Sequence, residues 1–452
     1  MKTASIILAA GQSKRMVSDL PKVLHKLNGK PLIEYSIAAA VQAVSETPVI
    51  VIGNAAELVQ KQVGARASFA VQAERLGTAH AVLAAEKHIA ADTNLVLVTS
   101  ADMPLLTAET LKAIVAAQAA NSGPMTLLTV HSGNPRGFGR ILRGADDSVQ
   151  AIVEEAQATP EQLKIDELNV GVYCFDNQWL WIALKQIKVS PKGEYYLTDV
   201  VEVAVKAGQK VQAIVMDDED EALGVNNRVH LAEAERIVRR RINEAYMLAG
   251  VTMLDPNLVY IEEGVVIGKD TALLPNTYLR GKTVIGEGCI LGPNTIIENT
   301  TVGNRCDIKS SLLEGAIVED DVDMTTFCHL RKGAHLGPGV HMGNFGEVKD
   351  SYLAANVKMG HFSYIGNATI GENVNIGAGT ITCNYDGVHK HPTVIGADTF
   401  IGSDTMLVAP LNIGKGAKTG AGAVVTHDVA DGEVVVGVPA RPLTKKEKGS
   451  SG

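Results

Sequence analysis

Asp102 stands two residues beyond the apolar run LVLVTS, and a carboxylate just past a buried strand is where α/β enzymes hold Mg²⁺. The plainer account is helix capping, because Asp also accepts backbone N–H groups at a helix start. Upstream, LAAGQSKRM is a glycine-containing turn carrying Lys14 and Arg15, and Lys22 follows in DLPK. Turn amides backed by cations suit phosphate groups, whereas a surface Lys/Arg pair is ordinary. A second collection lies far downstream: Arg331, Glu347, Lys349, His361, Tyr364, Asn375, Asn384, Tyr385 and Lys390. They are polar residues clustered in and just before the irregular repeats of the second half. Singly, each reads as a solvated surface residue.

Two kinds of element must position these groups. Over the first 225 residues short β-rich runs (SIILAA, PVIVIG, LVLVTSAD) alternate with amphipathic stretches such as PLIEYSIAAAVQAV and AETLKAIVAAQAA. That order implies right-handed βαβ units, a mostly parallel sheet, and ligands beyond the carboxyl ends of its strands. Residues 394–429 behave differently, reading VIGADT FIGSDT MLVAPL NIGKGA KTGAGA VVTHDV, with Ile395, Ile401, Leu407, Ile413, Thr419 and Val425 at one phase. A six-residue period fits neither a helix nor a plain strand and builds a parallel β-helix. The phase continues upstream, with slips, through Ile267, Ile285, Leu291, Ile297, Val302, Ile308, Leu336, Met342, Ile370 and Ile376. Slips mark inserted loops, which often bind ligands, so CNYDG at 383–387 is a candidate binding loop or a bulge without chemistry. Between the two patterns, Leu231, Ala234, Ile237, Val238, Ile242, Ala245 and Leu248 share one helical face. The expected layout is an α/β domain over 1–228, a helical arm over 229–251, a β-helix over 252–442 and a tail over 443–452 ending in a linker-like GSSG.

Composition narrows the function. At 452 residues two domains are expected, and 4% aromatics suit a solenoid of aliphatic layers. A net charge of −9, with Arg239-Arg240-Arg241 as the only local basic run, disfavours general nucleic-acid binding. Five cysteines without a C-x-x-C pair argue against a disulfide scaffold or a cysteine zinc site. No apolar run reaches the roughly 18 to 20 residues of a membrane span, and SIILAA is too short for a signal-peptide core. A cytoplasmic location is expected.

LAAGQSKRM with PKVL, QAERLGTAHAV, SADMPLL, GFGRILR, IVEE, ELNVGVY and GVNNR occur in the order and spacing of the sugar-1-phosphate nucleotidylyltransferases, and GEVK, MGHFSYIGN and NIGAGTITCNYDG resemble a β-helical acetyltransferase signature. From Lys2 to about Pro442 the chain resembles the family of bifunctional N-acetylglucosamine-1-phosphate uridylyltransferases/glucosamine-1-phosphate N-acetyltransferases. The resemblance implies a Rossmann-like nucleotidylyltransferase domain followed by a left-handed β-helix of hexapeptide repeats. It implies acetylation of glucosamine 1-phosphate by acetyl-CoA, then uridylyl transfer from UTP, giving UDP-N-acetylglucosamine and pyrophosphate for cell-wall precursors.

In the first site the resemblance makes Arg15 and Lys22 the catalytic cations on the UTP phosphates. Leu8, Ala9, Gly11, Gln72, Gly77 and Thr78 seat the nucleotide, Gly139, Glu154 and Asn169 contact the sugar, and Asp102 and Asn226 bind Mg²⁺, with Asn227 as the competing asparagine. In the second, His361 is the general base, oriented by Glu347. Arg331, Lys349 and Lys390 hold the sugar phosphate, and Tyr364, Asn375 and Asn384 fix the sugar. Acetyl-CoA runs along Ala378, Asn384, Tyr385, Ser403 and Ala421. Similar β-helical acyltransferases are trimers with each acetyl-transfer site assembled between subunits, so a homotrimer is expected.

The chain departs from the family pattern in three places. Gly11-Gln12-Ser13-Lys14-Arg15-Met16 lacks a second glycine, Ser100 stands where an aromatic often precedes the metal aspartate, and VGVPARP at 436–442 lacks an arginine near the coenzyme nucleotide. Arg441, or Lys445 and Lys446, is the expected substitute for that arginine. Two other readings remain at this point: a related enzyme preferring another amino sugar, and a non-catalytic nucleotidylyltransferase-like scaffold subunit.

Overall fold

The computed structural model describes residues 1–11, 14–53, 56–191 and 193–443. The chain divides into two compact units, Met1–Val238 and Arg239–Gly452. The first is a twisted sheet of β1 (Thr3–Leu8), β2 (Val49–Ile52), β3 (Ser68–Val71), β4 (Leu95–Ser100), β5 (Met125–His131), β6 (Arg140–Arg143), β7 (Val149–Val153), β8 (Glu167–Asp176) and β9 (Gln212–Val215). Their order is β9-β5-β8-β4-β1-β2-β3, with β6 pairing β8 and β7. The runs VIVI and LVLV are buried on both faces, as strands covered from two sides require. The parallel expectation holds for β3, β2, β1 and β4. β8, however, runs antiparallel to both β4 and β5, a reversal that the strand/helix alternation does not encode. Because Leu8 of β1 pairs with Ser100 of β4, the Gly11 turn and Asp102 emerge side by side at the carboxyl edge.

The helix Arg228–Leu248 takes the place of the expected 229–251 arm, and the unit boundary falls within it. Its first half belongs to the first unit, where Glu233 pairs with Arg136 at 2.9 Å and Glu235 accepts from the Asn28 N–H at 2.8 Å. Its second half belongs to the β-helix, where Ile242, Tyr246 and Met247 pack on the core and Asn243 donates to the Val259 carbonyl at 3.1 Å.

The second unit winds through three sheets of twelve, ten and nine short strands among the described residues, parallel except where the last strand, Arg441–Pro442, turns back against its neighbour. Each six-residue step carries the chain from one face to the next, so Ile395, Ile401 and Leu407 lie on three different sheets while Ile395 stacks on Ile413 and Leu407 on Val425. All six in-phase residues of 394–429 are buried. The polar one, Thr419, is satisfied inside: its hydroxyl accepts from the Gly402 N–H at 2.9 Å and lies 3.0 Å from that of Thr405. One coil is longer than its neighbours. The excess is the loop 384–391, closed by Asp386, which accepts from the Val388 and His389 N–H groups and pairs with His391 at 2.7 Å. Those backbone donors, with His391, hold the Asp386 carboxyl well below the usual carboxylate range.

Candidate active sites

In the first unit a cavity of about 570 Å³ opens at the carboxyl edge, lined by Leu8, Ala9, Gly11, Lys22, Gln72, Gly77, Thr78 and Asp102 among others. Gly77 is at φ +102°, and a Cβ there would meet the Tyr195 carbonyl at 2.4 Å, so only glycine lets the two segments close. Gln72 then donates to the Gly77 carbonyl at 3.0 Å, and Thr78 accepts from the Leu197 N–H at 2.9 Å. These contacts deliver residues that sequence reasoning did not single out: Arg75, Glu194 and Tyr196 line the same cavity. No periodicity marks them, since they reach the wall through the backbone bonds of Tyr195 to Leu76 and Ala79.

Asp102 and Asn226 converge. The Lys22 ammonium lies 2.5 Å from Asp102 Oδ2 and 3.1 Å from Asn226 Oδ1, and Arg15 donates to Asn226 Oδ1 at 3.0 Å. A backbone bond from Val225 N–H to the Asp102 carbonyl, 2.7 Å, brings the two segments together. Asn227 is turned elsewhere and accepts from the His230 N–H at the start of the helix. Two hard oxygens, Asp102 Oδ2 and Asn226 Oδ1, thus face the Lys22 ammonium, and oxygen donors of this kind suit Mg²⁺. No group of three or more His, Cys, Asp or Glu is arranged for a metal among the described residues. An ion here would complete its shell with water and substrate phosphates, which is the usual Mg²⁺ arrangement. Gln12 and Ser13, where the second glycine is missing, lie outside the described residues.

Of the three residues expected to contact the sugar, Glu154 accepts from Thr198 at 3.1 Å. Asn169 is buried, donates to Tyr173 Oη at 2.8 Å and accepts from the Gly171 N–H at 3.2 Å, leaving one amide hydrogen uncommitted. Burial drives the Tyr173 phenol far up, so it stays neutral. Gly139 passes under Ile152, whose Cγ2 would sit 2.8 Å from an added Cβ.

In the β-helix, strand register assembles the second site. Lys358 pairs with Asn375 and Asn375 with Phe400 on one side of a corner, while Tyr364 pairs with Ile381 and Ile381 with Met406 on the other. The next coil continues with Lys418 and Val424. His361, Ala378, Ser403 and Ala421 therefore occupy equivalent corner positions in four successive coils. Parallel strands lie ~4.8 Å apart, so His361 heads a column of small residues on the order of 14 Å long. The coils are in direct contact beneath it: a Cβ on Gly377 would meet the Ser403 nitrogen at 2.5 Å, and one on Gly402 the Ala421 nitrogen at 2.8 Å.

The neighbouring strands carry the cations. Arg331 follows His329–Leu330, which pair with Glu347 and Val348, and so stands beside Lys349. Arg331 donates to Glu347 at 2.9 Å. Lys390 approaches Lys349 closely enough to hold its pKa below the ordinary lysine value, with Arg331 adding to the effect. Three cations thus stand close together, a set suited to an anion. Tyr364 Oη and Asn384 Nδ2 flank Gly366, at 2.5 and 2.8 Å from where its Cβ would be. Tyr385 caps the loop by donating to the Gly387 carbonyl at 2.6 Å. Two placements differ from expectation within one chain. Glu347 partners Arg331, with no hydrogen bond to the exposed His361 among the described residues, and Asn375 lies on a different sheet from Tyr364.

Because its pKa is depressed, Lys349 loses its proton at lower pH than a free lysine, so an anion held by it is lost as pH rises through that value. The KM for an anionic sugar should climb on the alkaline side, and Lys390→Ala should move that limb to higher pH while raising KM overall. Steady-state KM measured from pH 7 to 10.5 checks this, and an unmoved limb would count against the cluster.

A cavity at the carboxyl edge of a largely parallel sheet, in a chain that continues into a hexapeptide β-helix, is the arrangement of a nucleotidyl transferase fused to an acyltransferase-type solenoid. Family models agree: residues 4–230 match the nucleotidyl transferase family, residues 259–299 the bacterial transferase hexapeptide and residues 392–427 the hexapeptide repeat of succinyl-transferase. The chain is similar to the bifunctional protein GlmU of Streptococcus agalactiae serotype III (strain NEM316), 44% identical over 97% of this chain and 95% of that one. It is 43% identical to that of Exiguobacterium sp. (strain ATCC BAA-1283 / AT1b) over 99% of both, and 44% identical to that of Trichlorobacter lovleyi over 94% of both. The chain belongs to the family of bifunctional GlmU proteins, and its solenoid is a left-handed parallel β-helix. No helix among the described residues is long and apolar enough to cross a membrane.

Proposed function

We propose that this protein acetylates glucosamine 1-phosphate with acetyl-CoA and then joins the product to UMP from UTP, releasing pyrophosphate and supplying UDP-N-acetylglucosamine for cell-wall precursors in the cytoplasm. What supports this most is that each unit gathers its own set of groups: Lys22, Asp102, Asn226 and Arg15 in one, and the His361 column beside three cations in the other.

In the first reaction the sugar phosphate is held by Arg331, Lys349 and Lys390, Tyr364 and Asn384 orient the ring, and His361 takes the proton from the 2-amino group as it attacks the thioester. The acyl arm lies along Ala378, Ser403 and Ala421, where only small side chains stand in its way. Gly437 takes the next corner position, since Lys418 and Thr419 pair with Val434 and Val435, and Arg441 pairs with Val436 just before it. That register supports reading Arg441, beside the foot of the column, as the residue that meets a coenzyme phosphate; Lys445 and Lys446 lie outside the described residues. Asn375, facing from another sheet, serves the site of a neighbouring copy. A homotrimer follows from that reading, with the exposed stacked rings of Phe327 and Phe345, 5.3 Å apart, in the contact.

In the second reaction Lys22 and Arg15 hold the triphosphate, Gln72, Gly77 and Thr78 seat the uridine, and Gly139, Glu154 and Asn169 receive the sugar. Mg²⁺, when bound by Asp102 and Asn226, offsets charge on the pyrophosphate leaving group. Lys22 leaves Asp102 for the phosphates as the substrate arrives, so the carboxylate is neutralised in both states.

Mass spectrometry of products from glucosamine 1-phosphate, acetyl-CoA and UTP tests the reading. UDP-N-acetylglucosamine should form only with all three, and N-acetylglucosamine 1-phosphate should accumulate without UTP. No turnover with any cosubstrate would favour the scaffold reading, and faster turnover of galactosamine 1-phosphate would overturn the sugar assignment.

A further inference from the structure

Asp102 has both carboxylate oxygens committed. Oδ2 faces Lys22, and Oδ1 accepts from the Ser100 hydroxyl at 2.6 Å. The Ser100 hydroxyl also lies 3.4 Å from the Leu8 carbonyl, a far longer approach for its single hydrogen. The backbone around this pair is clamped. Ser36 donates to the Ser100 carbonyl at 3.3 Å, Ala101 N–H to the Leu8 carbonyl at 3.0 Å, and Val225 N–H to the Asp102 carbonyl at 2.7 Å. A hydroxyl one bond from Cβ reaches its i+2 neighbour from such a strand end.

We infer that Ser100 is the positioning residue of the metal carboxylate: its hydroxyl fixes the Asp102 rotamer and occupies Oδ1, so that Oδ2 alone is presented, beside Asn226 Oδ1, to a divalent cation. The inference rests on the uridylyltransferase reading of this site. Once Lys22 turns to the substrate phosphates, an unheld carboxylate would rotate or bind through both oxygens, whereas the held one keeps a single ligand geometry. Second-layer hydrogen bonds of this kind commonly change metal affinity about 10- to 100-fold.

The test uses the full chain with UTP bound and no sugar phosphate present, so that Lys22 is drawn to the phosphates. Mn²⁺ is the probe, an ion that shares oxygen ligands with Mg²⁺, with free Mn²⁺ read by electron paramagnetic resonance against a blank of UTP alone and Mg²⁺ as competitor. Ser100→Ala should weaken Mn²⁺ about tenfold or more, Ser100→Thr should restore affinity to near that of the unaltered chain, and Asp102→Ala should lose the site. In parallel, the Mg²⁺ requirement of uridylyl transfer should rise in Ser100→Ala, with kcat at saturating Mg²⁺ little changed. Unaltered affinity in Ser100→Ala while Asp102→Ala loses the site would overturn the inference and leave the reading of the site intact. Equal loss in Ser100→Thr and Ser100→Ala would also overturn it, since packing and not the hydroxyl would then be responsible. Unaltered affinity in Asp102→Ala, or no Mn²⁺ binding by the unaltered chain, would overturn the metal reading itself.

Discussion

Asp102→Ala should abolish uridylyl transfer while acetyl transfer continues unchanged. Asp102 gives Lys22 a carboxylate partner beside Asn226, so under the proposed reading its removal takes away a metal ligand together with that counter-charge. Loss of one preorganised electrostatic partner commonly costs ~10²- to 10³-fold in rate, and the coupled loss of a metal ligand places the expectation at or beyond the upper end. Asp102→Asn separates charge from shape, because it keeps the side-chain outline and one oxygen, available to either Ser100 or Lys22, but no negative charge, and it should fall nearly as far. Pyrophosphate release and thioester consumption measured on the same preparations check both sides. Substantial pyrophosphate release by either variant would remove Asp102 from the metal site.

The converse result is expected for His361→Ala: uridylyl transfer of supplied N-acetylglucosamine 1-phosphate intact, acetyl transfer reduced about 10²- to 10⁴-fold, the usual worth of a positioned proton acceptor. His361 heads the column, and the positions below it, Ala378, Ser403 and Ala421, are untouched by the substitution. The acetyl-CoA KM should therefore stay put while kcat falls. Near-normal acetyl transfer by the variant would assign the proton to another group. Glu347→Gln offers a second view. In one chain Glu347 holds Arg331 at 2.9 Å, so its loss should raise the sugar-phosphate KM more than it lowers kcat, whereas a Glu347 that orients His361 would show the opposite split.

The architecture of both halves was legible because it is written in periods. In-phase residues from Ile395 to Val425 are interior, as a repeat of six requires, and the slip at CNYDG is the loop 384–391 that carries Lys390. Strand and helix alternation likewise announced β1 to β4 and their carboxyl edge. The antiparallel β8 was not legible, since a buried run such as ELNVGVYCFD reads alike in either direction. Nor was the division inside the helix Arg228–Leu248, because an apolar stripe shows that a helix packs and not what it packs against.

For the sites, residue type and motif order determined the cast, and packing decided the relations. That Lys22, Asp102, Arg15 and Asn226 act together could be expected from resemblance alone. That Asn226 and not Asn227 faces Lys22 depended on which side chain the helix start took for its cap. That Ser100 holds Asp102 depended on the side-chain geometry of residues two apart at a strand end. The column under His361 is the clearest case: its four members are separated by unequal stretches of chain, and only the backbone hydrogen bonds between coils, which absorb each insertion outside the strands, bring them to one corner. Sequence by itself determined which residues face inward and which chemistry is available, because burial and reactivity follow from residue type and period. Tertiary structure alone decided which of the reactive groups meet, because contact between distant segments is set by register, turns and steric fit that no local pattern records.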